Sequence, residues 1–305
     1  MITPAALKPN DVIGIVSPGK HIDAASIHRA ATLISQLGYR VKTGARATGR
    51  HHYFSGTDAE RARDFQLMLD DEQVKLILCS RGGYGSARII DRLDFRRFAQ
   101  KPKWIAGYSD ITIFHSHLLR LFGVESLHAT MPLDFGNDAQ PGAPLLKMLE
   151  AAGGRQQHYE MEAHAHNRNG IVRATLTGGN LSVLCSLLST PSDVDTTGKI
   201  LFIEEVAESG YRIDRMMNTL LRADKLTRLA GLVVGGLTPV AGDDFGMSAA
   251  EIIAEAVAPF GYPVAFGFPA GHFHDNFPLI MGRTYQLEVA ETTTLHSIAN
   301  HAVFY

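Results

Sequence analysis

Along the first half of the chain, short apolar runs alternate with stretches of helical period. The runs are "DVIGIVSP" (11 to 18), "RVKTGA" (40 to 45), "VKLILCS" (74 to 80), "WIAGYS" (104 to 109) and "VESLHAT" (124 to 130). Their β-branched and aliphatic content predicts strands. Segments such as "DAASIHRAATLISQLG" (23 to 38) and "DAERARDFQLMLDD" (58 to 71) repeat apolar residues at three- and four-residue steps and predict helices. Near-continuous apolar strands separated by helices imply a mostly parallel sheet covered on both faces, a flavodoxin- or Rossmann-like α/β arrangement. Ligands of such open sheets bind beyond the carboxyl ends of the strands. That rule selects the segments just after residues 18, 80 and 109.

The pattern breaks between 136 and 170, where "GNDAQPGAP" is followed by the polar, histidine-rich "GGRQQHYEMEAHAHNRNG". Beyond it, apolar runs and helical stretches resume in a more mixed order. "GIVRATLTGGN", "KILFIEEV" (199 to 206), "LAGLVVGGL" and "PVAFGFPAG" read as strands, "NLSVLCSLLS", "YRIDRMMNTLLRAD" and "MSAAEIIAEAVAPFG" as helices, and "TYQLEVAETTTLHSI" as closing strands. With 305 residues, two cores are expected. The pattern divides the chain into an N-terminal α/β domain (1–150), a linker holding a strand (151–170) and a mixed α/β C-terminal domain (171–305).

Composition narrows the function classes. Hydrophobic residues at 45%, charged residues at 20% and a net charge of -2 leave no basic excess for nucleic acid. The apolar run Val12 to Val16 is too short for a secretion-signal core or a membrane span, so neither export nor membrane insertion is expected. Cys79 and Cys185 sit in apolar segments without metal-ligand spacing, which fits a reducing compartment, most simply the cytoplasm.

Two turns at strand ends are candidates for chemistry. In "LILCSRGGYGSARII" (76 to 90) a strand runs into Arg81-Gly82-Gly83-Tyr84-Gly85, with a helix expected next, so bare amides could face an anion or oxyanion. As a dinucleotide fingerprint it fails, because Arg88 stands where close helix packing needs Gly or Ala. One strand later, Gly107-Tyr108-Ser109-Asp110-Ile111 resembles the hydrolase elbow G-x-S-x-G without its second glycine. Ser109 reads locally either as a nucleophile or as a helix N-cap. A nucleophilic serine requires a base and a carboxylate that orients it. Glu204 and Glu205 end the strand "KILFIEEV", and His272 follows "PVAFGFPAG", so the chain order Ser, Glu, His matches that of α/β-hydrolases.

Other polar clusters admit competing readings. "HFHD" (His272 to Asp275) could hold a metal, whereas His115 and His117 lie two apart on a predicted helix and do not face each other. His51 and His52 form a third pair. Cys79 is a possible thiol nucleophile, but its apolar neighbours would raise its pKa. A binding module without chemistry would use "RGGYGSAR" and "TGGNLS" as phosphate cradles, leaving Glu204 and His272 unused.

Taken together, "SRGGYG", "GYSD", "TGGNL", "LFIEEVAESGYRIDRM" and "GHFHDNFPLIMG" resemble, in order and spacing over nearly the whole chain, the LD-carboxypeptidases of murein recycling. This serine peptidase family also contains the microcin C immunity peptidases. The resemblance implies a Ser109–Glu204–His272 triad assembled across two domains. It also implies oxyanion donors from the amides of Asp110 and of Gly82 or Gly83, and no metal or other cofactor. The implied substrate is a murein tetrapeptide, cut between meso-diaminopimelate and its terminal D-Ala by a cytoplasmic homodimer. Arg81 is a candidate reader of the terminal carboxylate, or else one half of a structural ion pair. A peptidyl nucleotide is the alternative substrate. Its base would need an exposed aromatic, and the sole tryptophan, Trp104, falls inside a predicted strand.

Overall fold

The computed structural model describes residues 1–136, 138, 140–273 and 275–298. Its first sheet holds five parallel strands: β1 (Val12–Val16), β2 (Arg40–Thr43), β3 (Val74–Cys79), β4 (Trp104–Gly107) and β5 (Ser126–His128). Alternate residues pack into separate cores on its two faces. Ile13, Ile15, Leu76 and Leu78 fill one side, and Val12, Val16, Ile77 and Cys79 the other. Helices α1 (Ala24–Gln36) and α2 (Asp58–Asp70) cross over between strands as the periodicity predicts. Asp23 caps the first, and a Thr57–Glu60 capping box starts the second. The helix expected after the glycine turn is instead two 3-10 turns, Ser86–Arg88 and Ile90–Arg92, followed by the short α3 (Arg96–Gln100). Helix α4 (Thr112–Phe122) leads from β4 to β5 and α5 (Ala143–Ala152) closes this half.

The second sheet joins β6 (His158–Met161), β7 (Gly170–Asn180), β8 (Ile200–Glu208), β9 (Gly231–Pro239), β10 (Val264–Phe266), β12 (Thr284–Val289) and β13 (Thr293–Ser297). Its strands β7 to β10 run parallel, with helices α6 (Leu181–Ser186), α7 (Gly210–Arg222) and α8 (Ala249–Val257) between them. Strands β12, β13 and β6 continue it antiparallel beyond β7. One strand is shared with the other half: β11 (Leu279–Met281) leaves the C-terminal half and pairs antiparallel with β5 at the edge of the first sheet. Close by, Arg283 forms a two-pronged ion pair with Glu125 at 3.1 and 2.5 Å, and both side chains are buried. The two halves are therefore joined by backbone pairing and by a charged clasp. Among the described residues, no helix is long and apolar enough to cross a membrane.

Candidate active site

Strand β4 ends at Gly107, and two residues later Ser109 takes φ +62°, a left-handed conformation that costs a serine about 1–3 kcal/mol. The chain turns through a 3-10 step, Ser109–Ile111, into α4, and the serine caps neither element with its side chain. The capping alternative is not realised. The strained turn lifts the half-exposed Ser109 to the carboxyl end of the sheet.

The second glycine missing from the elbow is supplied by the neighbouring strand. A Cβ on Gly82 would lie 2.6 Å from Ser109 Cβ, 2.7 Å from its Oγ and 3.4 Å from the Asp110 amide nitrogen. Only glycine lets the turn after β3 pack against the serine in this way. Gly83 turns elsewhere, toward the Lys20 side chain and the Tyr53 hydroxyl. Arg81 donates from Nη1 to the His21 carbonyl and from Nε to that of Gly82, both at 3.3 Å, and has no ion-pair partner among the described residues.

Two side chains, those of Asp110 and Arg61, hold this turn. The buried Asp110 accepts from the Ser86 amide at 2.9 Å, fastening the 3-10 turn to the serine turn. Burial raises its pKa, against the pull of that bond and the charge of Arg61. Arg61, buried on α2, donates to the carbonyls of Pro18, Gly56 (3.2 Å) and Gly85 (3.0 Å) and pairs with Asp58. These tertiary bonds fix the turn at Gly85, whose own φ is +144°. An arginine on the apolar face of a helical pattern is the sequence signal for such a brace.

From the C-terminal half, Glu204 on β8 accepts from His272 Nδ1 across 2.7 Å. Gly271, at φ +118°, makes this approach possible, because a Cβ there would sit 2.9 Å from Glu204 Oε2. Glu205 points the other way, accepting from Asn180 Nδ2 (3.0 Å) and the Ser182 amide (2.8 Å), and so holds the start of α6. The glycines of "TGGN" have a structural use: Gly179 lets β7 approach Thr112, whose Oγ1 accepts from the Asn180 amide at 3.0 Å. Across this junction the Tyr108 ring meets the His272 ring edge-on, with centroids 4.8 Å apart, placing the imidazole beside the serine turn.

Burial alone would lower the pKa of His272. The Glu204 hydrogen bond, together with the charges of Glu204, Glu205 and Asp134, outweighs it and raises the value above 6.5. A base must be neutral to accept a proton, so any activity through His272 should fall on acidification. The acid limb of kcat/KM is expected above pH 6.5, and a limb below it would show that this imidazole is not the base.

The competing clusters resolve differently. His115 bonds to Ser126 Oγ and the Gly107 carbonyl, and His117 to Ser192 Oγ, so these two share no site. His51 and His52 touch each other edge-on, with ring centroids 4.5 Å apart. His274 of "HFHD" lies outside the described residues, among which no three His, Cys, Asp or Glu residues gather as a metal site. Cys79 is fully buried and its thiol pKa is driven far up by desolvation. Trp104 is buried in β4 and donates to the Ala5 carbonyl at 3.1 Å.

A serine on a strained strand-to-helix turn, beside an imidazole held by a buried carboxylate, has the make-up of a serine-type hydrolase. Residues 13–129 match the LD-carboxypeptidase N-terminal domain, and residues 173–287 the LD-carboxypeptidase C-terminal domain. The chain belongs to the LD-carboxypeptidase family, whose members are serine-type peptidases. It is 33% identical to a probable murein peptide carboxypeptidase of Bacillus subtilis, over 96% of this chain and 93% of that protein. A murein tetrapeptide carboxypeptidase of Pseudomonas aeruginosa is 25% identical, with coverage of 90% and 92%. The crystal structure of muramoyltetrapeptide carboxypeptidase from Oxalobacter formigenes aligns with a TM-score of 0.86 at 28% identity, covering 94% of this chain and 99% of that one. The microcin C7 self-immunity protein shares the fold at a TM-score of 0.88 and 19% identity, over 99% of both chains.

Proposed function

We propose that this protein is a serine carboxypeptidase that removes the terminal D-Ala from murein tetrapeptides by cutting the bond to the L-centre of meso-diaminopimelate. The observation that carries the reading is the Glu204–His272 pair lying beside the Ser109 turn. His272 takes the Ser109 hydroxyl proton as Oγ attacks the scissile carbonyl, then gives it to the departing D-Ala amine. Glu204 holds the ring and stabilises its cation. Water, deprotonated by the same imidazole, then releases the acyl group and restores the serine.

The oxyanion forms where the Asp110 amide and the Gly82-Gly83 turn converge on Ser109. A preset donor of this kind is worth about 2.7–4 kcal/mol in the transition state. Arg81, half-buried and with Nη2 bonded to no described residue, is assigned to the carboxylate of the terminal D-Ala. The working form is a cytoplasmic homodimer acting without metal. The likeness to the microcin C7 self-immunity protein concerns the fold, and the buried Trp104 offers no platform for a nucleotide base.

The test offers tetrapeptide, tripeptide and pentapeptide with and without chelator. D-Ala release from tetrapeptide alone, unaffected by chelator, is expected, with Arg81→Ala raising KM at least tenfold. Release from none of the three peptides would overturn the assignment, and an unchanged KM would remove Arg81 from it.

A further inference from the structure

The chemistry proposed above turns one peptide into two products, and the smaller is a free amino acid carrying both an ammonium and a carboxylate. The surroundings of the serine turn offer one group for each charge. Asp134 ends a 3-10 turn, Pro132–Asp134, that follows β5. It is crowded by protein on most sides yet keeps surface open to solvent, as a side chain on a cleft wall does.

Its carboxylate is held in place by the Tyr108 hydroxyl at 3.1 Å, the Met131 amide at 3.0 Å and the Thr130 hydroxyl at 3.4 Å. Tyr108 is the residue whose ring abuts His272, so the acid stands on the side of the imidazole. The same turn is tied to the Arg81 segment, because the Leu133 amide donates to the Ser80 carbonyl at 3.1 Å. Arg81 and Asp134 therefore rise from backbones bonded to each other, and both act electrostatically on Tyr108. They form no ion pair together, and neither has another ion-pair partner among the described residues.

We infer that Arg81 and Asp134 form a subsite for the zwitterion of the leaving amino acid, an inference that rests on the peptidase reading above. Arg81 holds the carboxylate from substrate through to product. Asp134 gains its partner only as the reaction proceeds. In the peptide the nitrogen is a neutral amide. Once the carbon–nitrogen bond breaks, it takes the proton from His272 and becomes an amine, and protonation from solvent gives the ammonium that Asp134 accepts. Because the ammonium forms only after the bond has broken, its contact with Asp134 leaves the cleavage barrier unchanged and acts on the product, slowing its departure.

The subsite predicts that free D-Ala is itself a ligand. Initial rates of tetrapeptide cleavage are measured with added D-Ala, D-lactate, which lacks the ammonium, and D-alaninamide, which lacks the carboxylate. D-Ala should compete at a concentration on the order of millimolar, as expected for a ligand of so few atoms. Each analogue should be roughly tenfold weaker or more. Asp134→Asn, with its melting temperature checked, should lose most of the preference for D-Ala over D-lactate. Tyr108→Phe, which removes one of the three hydrogen bonds on the Asp134 carboxylate, should weaken inhibition by D-Ala to a smaller extent. Inhibition by the tripeptide product should survive in both variants.

Absence of inhibition by D-Ala, equal inhibition by D-lactate, or a folded Asp134→Asn protein that still prefers D-Ala would each overturn the subsite. Ser109→Ala in the same assay separates the two levels of the argument: continued release of D-Ala from that variant removes the serine mechanism. Its inactivity beside a wild type indifferent to D-Ala removes the subsite alone. If no peptide is cut, calorimetry of D-Ala against the wild-type protein still decides whether the subsite exists.

Discussion

Ser109→Ala is expected to lower kcat for tetrapeptide by about 10⁴- to 10⁶-fold while leaving KM within a few-fold of the wild type. The hydroxyl is the attacking group of the proposed mechanism, and substrate binding rests on the residues around it. His272→Ala should cost a comparable amount. The double variant should fall little further, because nucleophile and base act as one unit. Cys79→Ala should retain turnover, its thiol being buried and its pKa raised. A folded Ser109→Ala protein with activity within tenfold of wild type would refute the nucleophile. The fold provides a second readout at this position. Ser109 carries φ +62°, so Ser109→Gly should be as inactive as Ser109→Ala yet about 1 kcal/mol more stable than it, since glycine adopts that conformation without strain.

Strands with both faces buried announced themselves. β1, β3 and β4 sit where the apolar runs predicted them, because a strand covered on both sides is apolar at nearly every position, the exposed Lys75 of β3 being the exception. The candidate residues after β3 and β4 lie where the carboxyl-end rule put them, and the resemblance to LD-carboxypeptidases is matched by both domain models. What local letters could not show was set by distant partners. The stretch after Gly85 has helical composition but folds as two 3-10 turns, and its ties to Asp110 and Arg61 come from residues distant in sequence. The elbow looked incomplete because the missing glycine, Gly82, belongs to the adjacent strand. Nothing within Leu279–Met281 reveals that these three residues join the first sheet, since the address of so short a strand lies in its partner, β5. Asp134 carries no motif at all, and its significance comes only from Tyr108 and the Ser80 carbonyl.

Arg283→Met should be the most damaging substitution outside the cleft, lowering stability by about 3–5 kcal/mol in chemical denaturation. Arg283 and Glu125 lie 158 residues apart in sequence and are both buried, with guanidinium and carboxylate matched by two hydrogen bonds. Removing the cation takes two charge-assisted donors from the buried Glu125, and the cost of keeping that carboxylate desolvated adds to the lost attraction. The double variant Glu125→Gln with Arg283→Met removes both charges and should recover part of the loss, as expected when keeping one of the two buried charges without the other carries the penalty. Position makes the effect functional. Arg283 follows β11, which crosses to pair with β5, and its carbonyl accepts from the Leu176 amide on β7 at 2.8 Å. The clasp therefore sits where the frame carrying Ser109 meets the frame carrying Glu204 and His272. A weakened junction should lower kcat in the folded fraction, because the proposed mechanism requires His272 to meet the Ser109 hydroxyl across it. Equal stability of Arg283→Met and wild type would mean that the halves are held in register without the clasp.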